Sequence, residues 1–201
     1  MDIDKHYGMD TEMKICIFGG TFDPPHICHT LACLYVLETT DVDRIIVIPC
    51  YRHPLGKNAT SFKRRVAMCR LALECLAPHV EVSEMESQRD GPSYTIDTLK
   101  LLKEEHPQAR LSLLIGSDLL KETHLWKSFD EIQNMARVIV LPRPEPGGKK
   151  GGEAKGESFP FMFPDISSTE IRRRIGENED ASPFLSRKVM DYIRKHNLYH
   201  E

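Results

Sequence analysis

The amino-acid sequence predicts an α/β protein in which helices flank a parallel sheet on both faces. Apolar runs bounded by turn residues alternate along the chain with segments of helical periodicity. Several of these runs hold neighbouring apolar residues instead of a strict polar alternation, which is typical of strands that are buried on both faces. The chain has 201 residues, enough for one domain with a sizeable core.

The elements follow one another in strand–helix order, and right-handed crossovers should join the strands. Strands are predicted at Lys14–Phe18, Arg44–Ile48, Val80–Ser83, Leu111–Ile115 and Arg137–Leu141. Helices are predicted at Ile27–Leu37, Phe62–Leu76 and Tyr94–Glu105, less regularly at Asp118–Met135, and as a small C-terminal helical segment near Ser168–Gly176 and Ser182–His196. In such Rossmann-like folds, ligands bind beyond the carboxyl ends of the strands, at the point where the strand order reverses.

Two segments do not fit the alternation. Residues 1–12 are polar and lack the apolar core of a secretion signal, so we interpret them as an N-terminal extension. The segment Arg143–Ser158 contains two prolines and five glycines, and we expect a mobile surface loop there. A short apolar strand should follow at Phe159–Phe163. Because no linker divides the chain, one domain is predicted over residues 1–201.

Charge and composition argue against several classes of function. The formal net charge is −3, so the chain lacks the global basic field on which non-specific nucleic-acid binding relies. No apolar run approaches the length that spans a bilayer, and we expect a cytoplasmic protein. The six cysteines include no C-x-x-C pair and mostly lie among apolar residues, which favours small buried hydrophobes over a disulfide or zinc framework.

The most informative motif joins the first predicted strand to the first predicted helix. It reads Gly19-Gly20-Thr21-Phe22-Asp23-Pro24-Pro25-His26-Ile27-Cys28-His29. Glycines let a backbone approach an anion closely, and a helix N-terminus adds N–H donors and the positive end of its dipole. His26 and His29 are three residues apart and share a helix face. The pattern favours a phosphate site over a plain turn with surface histidines, and over a zinc site, which needs three or four protein ligands.

A second candidate anion site opens the helix predicted at Ser168–Gly176. One interpretation is simply a well-made helix start, because Ser167 and Glu170 have the spacing of a capping box. The other is a phosphate site, to which neighbouring hydroxyls and helix N–H groups contribute. One arginine of the run Arg172–Arg174 would then reach inward, since its planar fork suits bidentate phosphate binding.

A third candidate is Gly116-Ser117-Asp118, directly after the strand predicted at Leu111–Ile115. One interpretation is a turn followed by a helix cap. In the other, Asp118 lies at the carboxyl end of a strand and accepts hydrogen bonds from ribose hydroxyls. The chemistry of these residues alone does not separate the two interpretations.

Two of these motifs carry a family resemblance. The first resembles the signature of the nucleotidyltransferase superfamily, a glycine pair, Thr, Phe, Asp and Pro followed by His-x-Gly-His. Cys28 stands where the glycine between the histidines is usual. The segment Ile166–Arg172 resembles the C-terminal signature of the superfamily, Ile-Ser/Thr-Ser/Ala-Thr-x-Ile-Arg.

The resemblance implies the nucleotidyltransferase fold of the His-x-Gly-His type, with ATP as a substrate. It implies that His26, His29 and Arg172 are catalytic residues at the triphosphate, while Arg173 and Arg174 lie in solvent. The ATP-binding residues that it implies are Gly19, Gly20, Thr21, Phe22, His26, His29, Gly116, Asp118, Ser167, Ser168, Thr169 and Arg172. Mg²⁺ should arrive bound to ATP, with few or no ligands from the protein, and no dedicated metal site is expected.

Two further features narrow the resemblance to one family. The segment Ser93-Tyr94-Thr95 precedes a Thr-Leu pair, and the single tryptophan, Trp126, follows the third motif. Taken alone they are a helix start and a core aromatic. Together with the first motif they resemble the nicotinate mononucleotide adenylyltransferase family. This implies that Thr95 and Trp126 flank the pyridine ring, and that the backbone N–H groups of Ile96 and Lys127 bind the nicotinate carboxylate.

The loop Pro49–Lys57 corresponds to an Asn-rich and Pro-rich loop of that family, which ends in a cation near the mononucleotide phosphate. Lys57 is expected in that role, and an ordinary solvated lysine is the alternative. Arg52 and His53 stand where asparagines are usual. This departure bears on the identity of the pyridine substrate more than on the reaction.

The implied activity is transfer of AMP from ATP to nicotinate mononucleotide, giving deamido-NAD and pyrophosphate in NAD biosynthesis. ATP and the mononucleotide are the implied partners. Neither a nucleic acid nor a membrane is expected to bind the protein, and a homo-oligomer is compatible with the sequence. Three alternatives stay open. They are a related transferase acting on nicotinamide mononucleotide or phosphopantetheine, a non-catalytic nucleotide-binding regulatory module, and a fragment of a class I aminoacyl-tRNA synthetase. The presence of both histidines and Arg172 argues against the regulatory module, and the short chain argues against the synthetase.

Overall fold

The computed structural model of the chain describes residues 12–142 and 163–200. Within them the sheet has five strands, β1 (Lys14–Gly20), β2 (Arg44–Pro49), β3 (Val80–Val82), β4 (Arg110–Gly116) and β5 (Ala136–Leu141). The α-helices are α1 (Ile27–Thr39), α2 (Phe62–Leu73), α3 (Thr95–Glu105), α4 (Phe129–Met135), α5 (Ser168–Gly176) and α6 (Arg187–Lys195). Each predicted strand that lies wholly in this part of the chain is confirmed.

All strand pairs in the sheet are parallel, and the spatial order is β3-β2-β1-β4-β5. β1 is central, and Ile15 lies between Arg44 of β2 and Leu111 of β4. The chain adds strands on one side of β1 up to β3 and then on the other side from β4 onward. In open α/β sheets such a reversal leaves a crevice beyond the carboxyl ends of the strands, where ligands bind, and here this position lies at the ends of β1 and β4.

Each face of the sheet packs on its own set of helices, because successive strand residues point to opposite faces. Cys16 and Phe18 of β1 belong to a buried cluster with α1, α2, α5 and α6. Ile15 and Ile17 belong to a second cluster with α3 and α4. Burial on both faces explains the nearly continuous apolar strands, and the predicted arrangement of helices on both faces is confirmed.

Three predicted helices differ from the structure, the first because α2 ends at Leu73 and a 3₁₀ turn follows at Glu74–Leu76. The prediction of one helix over Asp118–Met135 is wrong, since a 3₁₀ segment at Ser117–Leu125 precedes α4 and the chain turns at Ser128, which has a φ of 53°. The helix predicted at Ser182–His196 is divided into a 3₁₀ turn at Ser182–Phe184 and α6. There the Ser186 hydroxyl accepts a hydrogen bond from the Val189 N–H at 3.3 Å and starts a new helix.

Some predictions fall on other parts of the chain. The loop predicted at Arg143–Ser158, most of the strand predicted at Phe159–Phe163, and residues 1–11 of the N-terminal extension lie outside the described residues. The single-domain assignment over residues 1–201 stays a prediction. No helix within residues 12–142 and 163–200 combines the length and apolar character that a membrane crossing requires.

The prediction that cysteines act as small buried hydrophobes is confirmed for most of them. Cys16, Cys28, Cys33 and Cys69 are buried, whereas Cys50 is half-buried and Cys75 is exposed. Burial raises the pKa of Cys33 to about 12, so this thiol stays protonated at neutral pH. Burial also raises the pKa of Cys16 and Cys69, and these side chains pack as apolar groups.

Candidate active site

The turn after β1 leaves an open approach to the carboxyl end of the sheet. Gly19 is exposed, and a Cβ added to it would meet no atom within 4 Å. A Cβ on Gly20 would instead come within 2.9 Å of the Phe22 ring, so this glycine is required for close packing. The backbone at Gly19 is therefore accessible to a ligand, while Gly20 lets the turn fold back on itself.

Phe22 fixes the shape of this turn. It has a φ of 52°, an uncommon value for a side-chain-bearing residue, and its ring is buried. The ring packs edge-on against Phe18 at 5.4 Å and against His29 at 4.9 Å between centroids. Packing on both sides holds the strained backbone conformation, which places Phe22 as a support for His29 rather than as an exposed ligand contact.

The predicted histidine pair begins α1, as the spacing indicated. His26 is the buried N-cap residue, His29 is half-buried, and their ring centroids are 3.9 Å apart. The backbone N–H of His26 donates to Nδ1 of His29 at 3.0 Å. Because a backbone N–H can only donate, Nδ1 must be the acceptor. The proton of the neutral His29 ring therefore lies on Nε2, on the side of the ring away from this bond.

The start of α5 docks directly on this turn. The Ser168 hydroxyl donates to the Pro24 carbonyl at 2.9 Å, and one Arg172 terminal nitrogen donates to the Asp23 carbonyl at 2.7 Å. The other terminal nitrogen contacts Thr169 Oγ1 at 3.3 Å. The first and second motifs, which lie about 140 residues apart in the chain, therefore meet at one edge of the sheet. Because the Ser168 hydroxyl already donates to the Pro24 carbonyl, Ser168 can donate to a ligand at the start of α5 only through its backbone N–H.

Cys28 shows how the departure from the family signature is accommodated. Its side chain is buried, and Sγ lies 3.7 Å from the carbonyl oxygen of Pro164, just before α5. The thiol therefore fills space between α1 and the segment that leads into α5. The substitution adds a contact between the two motifs instead of blocking the crevice.

The capping box predicted for Ser167 and Glu170 is formed only in part. Ser167 Oγ accepts a hydrogen bond from the Glu170 N–H at 3.2 Å, but the Glu170 carboxylate accepts from Arg173 and Arg174. Arg173 is exposed to solvent, as predicted, whereas Arg174 is half-buried, and both form ion pairs with Glu170. Hydrogen bonding from Arg173 lowers the pKa of Glu170 to about 2, and Arg172 alone of the three arginines reaches the turn after β1.

Arg65 was not predicted as part of the site, yet it joins three loops around it. The side chain is only 4% exposed. Its guanidinium donates to the carbonyls of Thr21, Cys50 and Thr60, each at 2.8 Å. A buried cation is stable only when its donors are satisfied, so Arg65 rigidly connects the loops after β1 and β2 to the start of α2. Its spacing of four and seven residues from buried Cys69 and Ala72 was the available sequence signal.

Asp23 has a structural role that its position in the turn did not reveal. Its carboxylate is 4% exposed and accepts hydrogen bonds from the Thr60 N–H at 3.0 Å and from the Tyr199 hydroxyl at 2.6 Å. Tyr199 was likewise not predicted, because nothing near it in the sequence marks a functional site.

Four of the five residues predicted for the mononucleotide, namely Thr95, Ile96, Trp126 and Lys127, lie in or against the first turn of α3. Lys127 Nζ contacts the Asp97 carboxylate at 3.1 Å and lies 4.7 Å from the centroid of the Tyr94 ring. These contacts bring the segment Trp126–Lys127 against the first turn of α3, which contains Thr95 and Ile96. The Ile96 side chain is buried, so only its backbone can face a ligand. Trp126 is half-buried and packs edge-on against Phe129 at 5.9 Å.

The loop after β2 connects the two parts of the site. Cys50 N–H donates to the Gly20 carbonyl at 2.9 Å. Arg52 and Ser93 exchange two hydrogen bonds, at 3.1 Å to the Ser93 hydroxyl and at 2.8 Å between backbones. Lys57 is exposed, and its ammonium makes no hydrogen bond or ion pair within the described residues. Its charge, second to burial, lowers the pKa of His53.

The third motif, Gly116-Ser117-Asp118, lies at the carboxyl end of β4. Gly116 ends β4 and precedes the 3₁₀ segment Ser117–Leu125, in which Asp118 is exposed. Because β1 and β4 are neighbouring parallel strands, Asp118 lies at the same edge of the sheet as the turn that carries His26 and His29. The geometry is compatible with a carboxylate that faces a ligand in the crevice, as the second interpretation of this motif requires.

Comparison with known proteins gives consistent matches over most of the chain. The cytidylyltransferase-like family model matches residues 17–174. A probable nicotinate-nucleotide adenylyltransferase of Anaeromyxobacter sp. (strain K) is 38% identical over 192 residues, covering 92% of this chain and 96% of that protein. The corresponding probable enzyme of Myxococcus xanthus is 34% identical over 191 residues, with coverages of 95% and 97%.

A solved structure shows the same architecture. Plasmodium falciparum nicotinic acid mononucleotide adenylyltransferase complexed with NaAD superposes on this chain with a TM-score of 0.77 and 25% identity. The alignment covers 94% of this chain and 98% of that one. The likeness therefore extends over both motifs and the intervening sheet.

Proposed function

The chain belongs to the nicotinate-nucleotide adenylyltransferase family, and on that premise we propose that it transfers the AMP group of ATP to nicotinate mononucleotide. The observation that carries the proposal is the docking of α5 on the turn that holds His26 and His29. Both candidate anion sites thereby face one crevice, at the strand-order reversal. One bound triphosphate can contact both.

The reaction needs alignment more than a protein nucleophile. An oxygen of the mononucleotide 5′-phosphate forms a bond to the α-phosphorus of ATP, and the bond from that phosphorus to the oxygen bridging to the β-phosphorus breaks. Pyrophosphate takes the electron pair and leaves. Since the attacking phosphate is already anionic at neutral pH, no strong general base is required. Catalysis then consists of positioning the two phosphates and stabilising the charge that develops between them.

We assign the stabilisation of that charge to His29 and His26. The bond from the His26 N–H to Nδ1 places the proton of the neutral His29 ring on Nε2, and the contact with Phe22 holds the ring in place. A donor that is already oriented needs no reorganisation when charge develops in the transition state. Thr21, half-buried Gly20 and the exposed backbone of Gly19 belong to the same turn and are assigned to the reacting phosphates.

The departing pyrophosphate is assigned to the start of α5. Its first N–H groups have no partners within the helix and carry the positive end of the helix dipole. Two of the five N–H donors of Arg172 serve the contacts with Asp23 and Thr169, so these contacts fix the orientation of the guanidinium. Ser167 and Thr169 are exposed at this end and would complete the donors to the β- and γ-phosphates, with Ser168 contributing through its backbone.

Mg²⁺ enters this scheme as part of the MgATP substrate. The Asp23 carboxylate of the turn is buried and already accepts from Tyr199 and Thr60, and the imidazoles, guanidinium and N–H groups around it do not suit a hard cation. Phosphate oxygens and water would therefore supply most of the Mg²⁺ ligands. Asp118, at the end of β4, is assigned to the ribose of ATP.

The mononucleotide is assigned to the surface between α3 and Trp126. A flat indole beside the first turn of α3 offers both a stacking partner and helix N–H donors for an anionic ring substituent. Thr95 flanks the ring on the other side, and the Ile96 and Lys127 backbones supply the N–H donors. Lys57, whose ammonium is exposed to solvent, is assigned to the mononucleotide phosphate.

A pyrophosphate-release assay with ATP tests the activity. Nicotinate mononucleotide, nicotinamide mononucleotide and phosphopantetheine should be compared in parallel as acceptors, and release should be fastest with nicotinate mononucleotide. Faster release with the amide would overturn the assigned acceptor. Release with phosphopantetheine alone, or with none of the three, would overturn the proposed reaction.

A further inference from the structure

The C-terminus of the described chain returns to the catalytic turn. After α6 the backbone reverses through Asn197, which has a φ of 48°, and the Leu198 N–H donates to the Ile193 carbonyl at 3.1 Å. The Leu198 side chain is buried in the core cluster on the α6 side of the sheet. This anchor directs Tyr199 inward, where its hydroxyl donates to the Asp23 carboxylate across 176 positions of sequence.

Asp23 is the point at which separate parts of the chain meet. Its two carboxylate oxygens accept from Tyr199 at 2.6 Å and from the Thr60 N–H at 3.0 Å. Its carbonyl accepts from Arg172 at 2.7 Å. Asp23 lies between strained Phe22 and His26, so the geometry of this one residue sets how the turn presents its histidines. A buried carboxylate needs donors on both oxygens to hold one orientation.

The Tyr199 hydroxyl is suited to a permanent donor role. Burial first, and then the hydrogen bond to Asp23, raise the pKa of this phenol well above its ordinary value. The phenol therefore stays protonated across the neutral range. Its own backbone is held in the left-handed region, with a φ of 67°, which is uncommon for tyrosine and indicates that tertiary contacts maintain its position.

We propose that Tyr199 is a positioning residue for the transfer reaction, which holds Asp23 and thereby keeps His26, His29 and Arg172 in their reactive arrangement. The inference rests on the proposed adenylyl transfer. A residue that acts through such a support affects the transition state, in which the phosphates must be aligned closely, more than substrate binding. Its loss should therefore lower kcat and leave both KM values nearly unchanged.

The test compares Tyr199→Phe with the wild-type chain. Phenylalanine keeps the buried ring and removes only the hydroxyl. In the pyrophosphate-release assay we expect kcat to fall about tenfold, with changes in the KM of ATP and of nicotinate mononucleotide below about threefold. The matched control is Tyr192→Phe, since Tyr192 lies on α6 and its ring packs against His196, with 4.3 Å between the centroids. Tyr192→Phe should keep the wild-type kcat.

A double-mutant cycle with Asp23→Asn separates positioning from general stability. If Tyr199 acts through Asp23, removal of its hydroxyl in the Asp23→Asn background should cost much less than about tenfold in kcat. Additive losses would overturn the proposal, as would an unchanged kcat in Tyr199→Phe or an equal loss in Tyr192→Phe. Rates are normalised to the folded fraction from thermal unfolding. A wild-type chain without pyrophosphate release would instead overturn the proposed function, so the two failures are distinguishable.

Discussion

The two halves of the crevice are built differently. In the half assigned to the triphosphate, Asp23, His26 and Arg65 are each less than 5% exposed, and side chains from α5 and the C-terminal segment reach the same turn. In the half assigned to the mononucleotide, Leu55 and Leu125 are 70% and 64% exposed, and the Lys127–Asp97 pair lies at the surface. The first half is held by buried hydrogen bonds, and the second by partly exposed contacts.

The difference follows from what each half has to do. Stabilising charge in a transition state requires donors that are oriented before the reaction, since any reorganisation adds to the barrier. Recognition of a flat ring tolerates side chains that become ordered on binding, at some cost in affinity. We therefore expect substitutions in the first half to change kcat or stability, and substitutions in the second half to change KM.

The largest effect is expected from His29→Ala. Loss of the oriented Nε2–H should lower kcat by about 100-fold to 1,000-fold, while the thermal unfolding temperature changes little because the ring is only half-buried. Steady-state pyrophosphate release measures the effect. His79→Ala is the control, since His79 is exposed and precedes β3 at the amino end of the sheet. If His29→Ala lowers kcat no more than His79→Ala does, the first half of the crevice does not have the catalytic role that the comparison gives it.

Arg65→Met tests the buried support of the first half. The substitution leaves the carbonyls of Thr21, Cys50 and Thr60 without their donor, so the free energy of unfolding should fall by about 3 kcal/mol. Urea unfolding measures this difference. The neighbouring Arg64 is exposed, and Arg64→Met should change the free energy of unfolding by less than about 0.5 kcal/mol. Equal effects in the two variants would show that the three hydrogen bonds contribute nothing specific.

Trp126→Ala tests the second half of the crevice, which is assigned to the mononucleotide. Removal of the indole should raise the KM of nicotinate mononucleotide about tenfold through lost stacking, with kcat reduced less than about threefold. The KM of ATP serves as the internal control and should stay within about twofold of wild type. If both KM values rise together, the indole does not belong to a separate mononucleotide half.

The smallest effect is expected from the exposed ion pairs of α5. The folded-state pKa of Glu170 is about 2 against an ordinary 4.5. A lowered pKa means that the carboxylate stabilises the fold fully above about pH 4.5, and that this contribution is lost as the pH falls towards 2. Thermal unfolding of wild type and Glu170→Gln should therefore differ by about 1–2 °C at neutral pH and converge in acid. A difference that grows as the pH falls would contradict this sign.

Local patterns allowed much of the fold, and the local structure of both candidate anion sites, to be predicted. The strand at Lys14–Phe18, the glycine turn and the His26–His29 spacing are properties of neighbouring residues, and so is the Ser167 cap. Their prediction succeeded because backbone conformation and helix capping depend on a few adjacent side chains. The helix predicted at Asp118–Met135 failed because Ser128 adopts a left-handed conformation that no periodicity indicates.

Contacts across the fold could not be predicted in the same way. The sequence by itself determined the order of strands and helices, the glycine turn after β1, and the two helix starts at His26 and Ser167. Only the tertiary structure decided that β1 and β4 are neighbours, that Arg172 and Ser168 reach the turn, and that Arg65 and Tyr199 support it. The physical reason is that these hydrogen bonds join residues tens to more than a hundred positions apart. Their partners are chosen by packing of the whole core rather than by the local backbone.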